Sequence, residues 1–264
     1  MSLRGEDSDG KKYSKPEALW TELAQAPEGA QEVWYNRAVA YWDSQEASVN
    51  GVLGGYGHVS DDDIAESRKF LFKALGKNGQ GGLGACAADC GAGVGRVSQK
   101  LLLHHFEEVD VVEPSHHYIE SARKALSGST AQSWPSQHKA VNFYQVGLEN
   151  WTPQSNRYDV IWIQWALLYL TDDDAVAFFD RCKAGLKPGG IIVVKENICK
   201  HTEFVVDKED SSLTRSNKYM LQLFARSKML VMYNVLQRNF PKELFPVRMY
   251  AIKPRTVTAE IRQN

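Results

Sequence analysis

Ala87-Ala88-Asp89-Cys90-Gly91-Ala92-Gly93-Val94-Gly95-Arg96 is the stretch whose reading decides the fold. Small residues from Ala85 to Ala88 lead into it, three glycines stand at alternate positions, and a helix-like run follows over 94–103. A strand that turns sharply into a helix needs residues without Cβ where the backbone bends or meets a ligand. The free N–H groups of the new helix then face whatever lies over the turn. About twenty residues on, Asp110-Val111-Val112-Glu113 reads as a second strand ending in an acid, placed to accept hydrogen bonds from a ribose diol. A glycine-rich turn followed by such an acid points to a nucleoside-bearing cofactor in a doubly wound α/β domain.

The glycine spacing narrows the cofactor. A dinucleotide turn reads Gly-x-Gly-x-x-Gly, whereas here the order is Gly91-x-Gly93-x-Gly95 behind Asp89. This tighter form resembles the first motif of class I S-adenosylmethionine-dependent methyltransferases, whose ligand carries a methionine moiety and no pyrophosphate. Downstream, strands are expected over 85–90, 108–112, 141–145, 158–163 and 191–195, with helices over 115–126 and 172–186 between them. Tyr158-Asp159-Val160-Ile161-Trp162-Ile163 is nearly continuous in apolar residues, as a strand buried on both faces of a parallel sheet must be. After an irregular acidic stretch, a helix over 213–227 precedes two strands, 230–237 and 247–252, close enough to pair as a hairpin. The sum is a seven-stranded Rossmann-like methyltransferase sheet with helices on both faces and a final antiparallel hairpin.

Before it, residues 1–14 read as a disordered tail. Residues 15–84 read as an N-terminal helical extension and a glycine loop packed on the core, and 85–264 as the methyltransferase domain. Two amphipathic patterns mark that extension, Leu19/Trp20/Leu23 and Val33/Trp34/Ala38/Tyr41/Trp42. Gly51-Val52-Leu53-Gly54-Gly55-Tyr56-Gly57-His58 is too rich in glycine for a stable helix and reads as a loop or short ribbon. Ser60 reads as the N-cap of a helix that Asp61, Asp62 and Asp63 open, and 76–84 as a flexible connector.

Composition sets the bounds. A chain of 264 residues with 43% hydrophobic content can bury a normal core. A net charge of −1 gives no field that would draw the whole protein to nucleic acid or membrane. Cys86, Cys90, Cys182 and Cys199 are scattered, without metal-ligand spacing, which suits a reducing compartment and predicts no metal site. No apolar run approaches a membrane span. The expectation is an intracellular protein of the cytoplasm, the nucleus or both.

Ligands of open α/β sheets bind outside the carboxyl ends of the strands. That rule nominates Gly91 to Arg96, Glu113, Gly147-Leu148, Gln164-Trp165 and Glu196-Asn197. Leu148 suits an adenine face, and Trp165 offers an aromatic wall to an amine or a sulfonium. The Pro-Pro signature of amino-directed nucleic-acid methyltransferases is absent after Ile163, which counts against base methylation.

Four strings together look like the protein α-N-terminal methyltransferases: Val52-Leu53-Gly54-Gly55-Tyr56-Gly57-His58, the Asp89 to Arg96 turn, Tyr158 to Trp165, and Asp210-Ser211-Ser212. The resemblance runs from about Tyr41 to Ile252, and the Leu-Gly-Gly-Tyr-Gly-His and Trp-Ile-Gln-Trp strings are its most specific parts. It implies S-adenosylmethionine as methyl donor, S-adenosylhomocysteine as product, and the free α-amine of proteins beginning Xaa-Pro-Lys or Xaa-Pro-Arg as acceptor. It further implies cofactor contacts from Gly91, Gly93, Arg96 (methionine carboxylate), Glu113 (ribose), Leu148 and Gln164, with Trp42 nearby. The peptide channel it implies comprises Leu53, Gly54, Trp165, Asn197, Asp207, Asp210, Ser212 and Phe245. Asn197 would meet the first peptide carbonyl, and Asp207 and Asp210 the basic third residue.

Three positions depart from the family pattern. Tyr169 stands where a histidine is usual, Phe245 where a tyrosine often lines the channel, and Glu113 replaces the commoner aspartate. A tyrosine with pKa ~10 stays protonated at neutral pH, so Tyr169 is expected to orient a carbonyl or amine and Asp210 to take the proton. Direct SN2 transfer needs only alignment and a neutral amine, and an α-amine of pKa ~8 is partly neutral unaided. A lysine or small-molecule methyltransferase on the same fold stays open as an alternative. So does a cofactor-binding protein of impaired catalysis. The expected partners are protein N-termini, without nucleic acid or membrane, and a monomer is the working expectation.

Overall fold

The computed structural model describes residues 3–25, 30–76, 83–127 and 133–255. Most of the connector expected over 76–84, and part of the polar insertion over 127–139, lie outside the described residues.

The first residues correct the expectation of a disordered tail. They form β1 (Gly5–Asp7) and β2 (Lys12–Tyr13), a small hairpin whose turn is closed by Asp7 Oδ1, which accepts from Lys11 N at 2.9 Å. Helices α1 (Pro16–Ala24) and α2 (Ala30–Asp43) follow, as the two amphipathic patterns predict. The glycine loop contains one helical turn, α3 (Val49–Val52), capped by Ser48 Oγ, which accepts from Gly51 N at 3.0 Å. It ends in a 3-10 turn, Gly57–Val59, that runs directly into α4 (Ser60–Ala74). Ser60 is therefore the first helical residue and not an N-cap, because the turn before it already continues the helical path.

The main sheet begins with β3 (Gly84–Cys90), and the helix after the glycine turn, α5 (Arg96–Lys100), is shorter than expected. Leu101 breaks it, and a 3-10 turn at Leu102–His104 leads to β4 (Phe106–Val112). Then come α6 (His116–Ser127), β5 (Lys139–Tyr144), β6 (Tyr158–Gln164), α7 (Asp172–Gly185) and β7 (Leu186–Asn197). Five parallel strands take the order β7-β6-β3-β4-β5. Further on, β10 (Met229–Leu236) and β11 (Val247–Pro254) form the anticipated hairpin, with β11 antiparallel to both β7 and β10.

Strand periodicity splits the core between two faces. Ile161, Ile163, Ile192 and Val194 pack with Phe178 and Phe179 of α7, while Val160, Trp162, Ile191 and Val193 pack with Phe70 and Leu71 of α4 and with Ala122 and Leu126 of α6. Side chains at successive strand positions point to opposite faces, so a continuous apolar run feeds both layers.

The acidic stretch is ordered rather than irregular. It forms β8 (Phe204–Asp207) and β9 (Ser212–Arg215), so α8 (Asn217–Arg226) starts later than the expected helix and is capped by Ser216. β1 adds to β8 in parallel, giving a separate four-stranded sheet β2-β1-β8-β9. Phe204, Val206 and Leu213 close it against Tyr13, Leu19, Trp34 and Tyr219. This partnership joins residues some two hundred positions apart, so no local pattern announces it.

Candidate active site

The strand order reverses at β3, between β4 and β6, and the site opens above their carboxyl ends as the switch-point rule requires. Gly91 follows β3 with φ 73°, and a Cβ there would collide with the methyl of Ala166, which follows β6. Only glycine lets the two strand ends approach so closely. Above them lies a cavity of about 1010 Å³, including its mouth. Its wall brings together Trp42, Leu53, Gly91, Gly93, Arg96, Glu113, Leu148, Gln164, Trp165 and Tyr169 from the sequence reading, and adds Tyr35, Val52 and Tyr118.

Glu113 sits at the end of β4 with both carboxyl oxygens engaged. Oε2 accepts from Gly93 N at 2.8 Å and Oε1 from Ser115 N at 3.0 Å. Burial pushes its pKa up to about 7, against the pull of those two N–H groups. Each carboxylate oxygen keeps a further acceptor position for a diol. Asp89 acts beneath the turn: Oδ2 accepts from Ser98 N at 2.9 Å and from Ser98 Oγ at 2.7 Å, fastening α5 to β3. Burial raises this carboxyl to about 6 despite the Ser98 bonds.

Beneath Arg96 lies a charge cluster that the sequence reading missed. Asp63 of α4 is fully buried and pairs with two cations: Arg96 Nη1 at 2.8 Å from Oδ2, and Lys195 Nζ against Oδ1. Gln164 Nε2 donates to Asp63 Oδ2 at 2.9 Å, and Lys195 Nζ donates to Ser67 Oγ at 2.8 Å. Asp63 stays below the usual carboxylate range because the pull of Lys195 and Arg96 outweighs its burial, while burial brings Lys195 down to about 8. One carboxylate thus faces two cations. Nη1 of Arg96 is spent on that ion pair, but a guanidinium carries five N–H donors and Arg96 also lines the cavity wall, where it can meet another anion. By sequence position Asp63 is only a helix-opening acid. The available signal was Lys195, a charge placed directly after the apolar strand run Ile191 to Val194.

At the end of β6, Trp165 has φ 52°, an unusual conformation for a bulky residue. It is held there by Trp165 N donating to Lys195 O at 3.0 Å and by Glu196 Oε1, which accepts from Ala166 N (2.9 Å) and Leu167 N (2.8 Å). Burial raises Glu196 to about 8 against those bonds. The ring of Trp165 lies 5.6 Å from the Arg96 guanidinium and 6.3 Å from the ring of Phe240.

A hydrogen-bonded chain leaves the cavity toward the acidic hairpin. Trp42 Nε1 donates to Tyr169 Oη at 2.8 Å, and Tyr169 Oη donates to Asp210 Oδ2 at 3.2 Å. Ser212 N donates to Asp210 Oδ1 at 3.0 Å. Burial, with Asp210 beside it, raises the Tyr169 phenol well above 10, so it stays protonated. Burial also raises Asp210, opposed by Ser212 and aided by Asp207. Gly54, Asn197, Asp207, Asp210, Ser212 and Phe245 lie outside the cavity wall. Asn197 is half-buried at the end of β7, Gly54, Asp207 and Phe245 are exposed, and Ser212 is buried opposite Asp207 in the β8–β9 register.

The fold and this cavity define a class I S-adenosylmethionine-dependent methyltransferase. A sequence profile described as AdoMet dependent proline di-methyltransferase matches residues 30–253, and the chain belongs to that family. Alpha N-terminal protein methyltransferase 1 of Arabidopsis thaliana is 44% identical over 257 residues, covering 96% of this chain and 91% of its own. N-terminal Xaa-Pro-Lys N-methyltransferase 1 of Danio rerio is 41% identical over 221 residues, covering 83% and 95% respectively. A SAM-dependent methyltransferase of Leishmania major superposes with a TM-score of 0.84 at 38% identity, covering 96% of this chain and 97% of the other. S-adenosylmethionine is thus the cofactor, and the residues fit it: the Arg96 guanidinium at the cavity wall, acceptor positions on Glu113 and an apolar wall at Leu148. Among the described residues, no helix is long and apolar enough to cross a membrane.

Proposed function

We propose that this chain methylates the free α-amine of proteins that begin Xaa-Pro-Lys or Xaa-Pro-Arg once the initiator methionine is gone. The observation that carries this reading is the Trp42–Tyr169–Asp210 chain, which links the cofactor cavity to an acidic hairpin suited to a basic peptide. The names of the Arabidopsis and zebrafish relatives point the same way.

S-adenosylmethionine supplies an activated sulfonium methyl when bound. Arg96 would hold its carboxylate, Glu113 its ribose and Leu148 its adenine, while Gly91 and Gly93 would let the backbone approach and Gln164 and Trp42 would close the wall. Leu53, Gly54, Trp165 and Phe245 line the peptide path, and Asn197 donates to the first peptide carbonyl. Asp207 and Asp210 attract the cationic third residue, with Ser212 fixing Asp210. The α-amine must lose a proton to react, and Asp210, raised by burial, is the acceptor, directly or through water. Tyr169 stays protonated and orients Asp210 by donating to it, so it serves as a positioning hydroxyl where the family usually has histidine.

Mass spectrometry on two Ser-Pro-Lys peptides, one free and one Nα-acetylated, tests the reading. Methyl gain on the free peptide alone is expected, and Asp210→Asn should lower kcat. Gain on both peptides would move the acceptor to lysine and overturn the assignment.

A further inference from the structure

The family match begins at residue 30, so β1, β2 and α1 precede the matched region. The two strands are nevertheless built into the sheet that carries Asp207, Asp210 and Ser212. Gly5, Glu6 and Asp7 pair with Phe204, Val205 and Val206. A Cβ on Gly5 would collide with the buried ring of Phe204, so this position lets β1 lie flat on the hairpin's apolar base.

The polar contacts at the other end are more informative. Lys208 stands between Asp207 and Asp210 in sequence, where its ammonium could neutralise either. It points instead to the N-terminal hairpin, 2.7 Å from Asp7 Oδ2 and 2.9 Å from Asp9 Oδ2. Its backbone N–H donates to Ser8 Oγ at 3.2 Å, and Ser8 N donates to Val206 O at 2.8 Å. Asp7 is itself buried and held by Lys11 N and Tyr13 Oη, so its carboxylate is a fixed anchor. Among the described residues, no ion pair joins Lys208 to Asp207 or Asp210.

We propose that Asp7 and Asp9 are specificity-determining positioning residues: they sequester the Lys208 ammonium and so leave Asp207 and Asp210 free for the cation at the third position of the substrate. The inference rests on the peptide-reading role given above to those two acids. Without its anchors, Lys208 would be free to pair with the neighbouring carboxylates and act as an internal competitor of the substrate lysine.

Steady-state kinetics on full-length protein with Ser-Pro-Lys and Ser-Pro-Gln peptides tests this. Wild type should show the lower KM for Ser-Pro-Lys. Asp9→Asn and Asp7→Asn/Asp9→Asn should raise that KM, by about 3- to 5-fold in the double variant, the scale of a partly exposed ion pair. The KM for Ser-Pro-Gln and the affinity for S-adenosylhomocysteine should stay within about twofold. Adding Lys208→Gln should return the Ser-Pro-Lys KM to the wild-type value, because the competitor is then gone. A KM that stays raised after Lys208→Gln would mean that the acids merely stabilise the hairpin, and would overturn the proposal. So would an unchanged KM in both aspartate variants; the exposed Asp9 keeps that result readable if Asp7→Asn folds poorly. Wild type indifferent to the third residue would overturn the reading of Asp207 and Asp210 themselves, and this proposal with it.

Discussion

Glu196 offers a test that separates charge from hydrogen bonding. It is 2% exposed, and its Oε1 holds the N–H groups of Ala166 and Leu167, which fix the turn between Trp165 and Tyr169. Burial raises its pKa from an ordinary 4.5 to about 8. Between those values the folded chain holds a proton that the unfolded chain has released, so wild-type stability falls as pH rises from about 4.5 to 8. Glu196→Gln keeps the accepting oxygen but cannot ionise. At one pKa unit per ~1.4 kcal/mol, its stability relative to wild type should improve by about 3 kcal/mol between pH ~5.5 and ~8.5. Glu196→Ala removes the acceptor and strands two buried N–H groups, costing about 2–5 kcal/mol even at pH ~5.5. Urea unfolding across this pH range, read from midpoints at constant m, measures both variants. A Gln-to-wild-type difference that does not move with pH would refute the protonated carboxyl. An alanine variant as stable as the glutamine one would refute the role of Oε1 in holding the turn.

Two further outcomes concern the cavity itself. Asp63→Asn should cost about 3–5 kcal/mol, because it leaves Arg96 and Lys195 buried without their shared anion, while Lys195→Met, which leaves one cation on one carboxylate, should cost less; chemical unfolding of both variants checks the order, and the reverse order would contradict the charge inventory. Gly91→Ala forces an L-residue to φ 73° and a methyl into Ala166, which should cost about 2 kcal/mol or more and lower S-adenosylhomocysteine affinity at least about tenfold by calorimetry; unchanged affinity would show that the two strand ends can part without disturbing the site.

Much of this protein was legible in local patterns. The Asp89 to Arg96 turn, the acid at Glu113 and the two-faced apolar run at Tyr158 to Ile163 are properties of neighbouring residues, and they determine strand, turn and helix wherever the chain goes. The closing hairpin was legible too, in the short loop between 230–237 and 247–252, whereas the order of the strands is a property of the folded sheet. The family strings also mark Trp165, Tyr169 and Asp210 from sequence alone.

What only the tertiary structure decided depends on partners far apart in sequence. Gly5–Asp7 becomes a strand because Phe204–Asp207 offers an open edge and an apolar base, and neither segment is long enough to signal a strand alone. Asp63 and Lys195 form one buried cluster across 132 positions, which a reading of helix-start acids and strand lysines treats as two unrelated facts. The raised carboxyls of Glu113 and Glu196 are equally beyond the sequence, because desolvation is set by everything packed around a group and not by its neighbours along the chain.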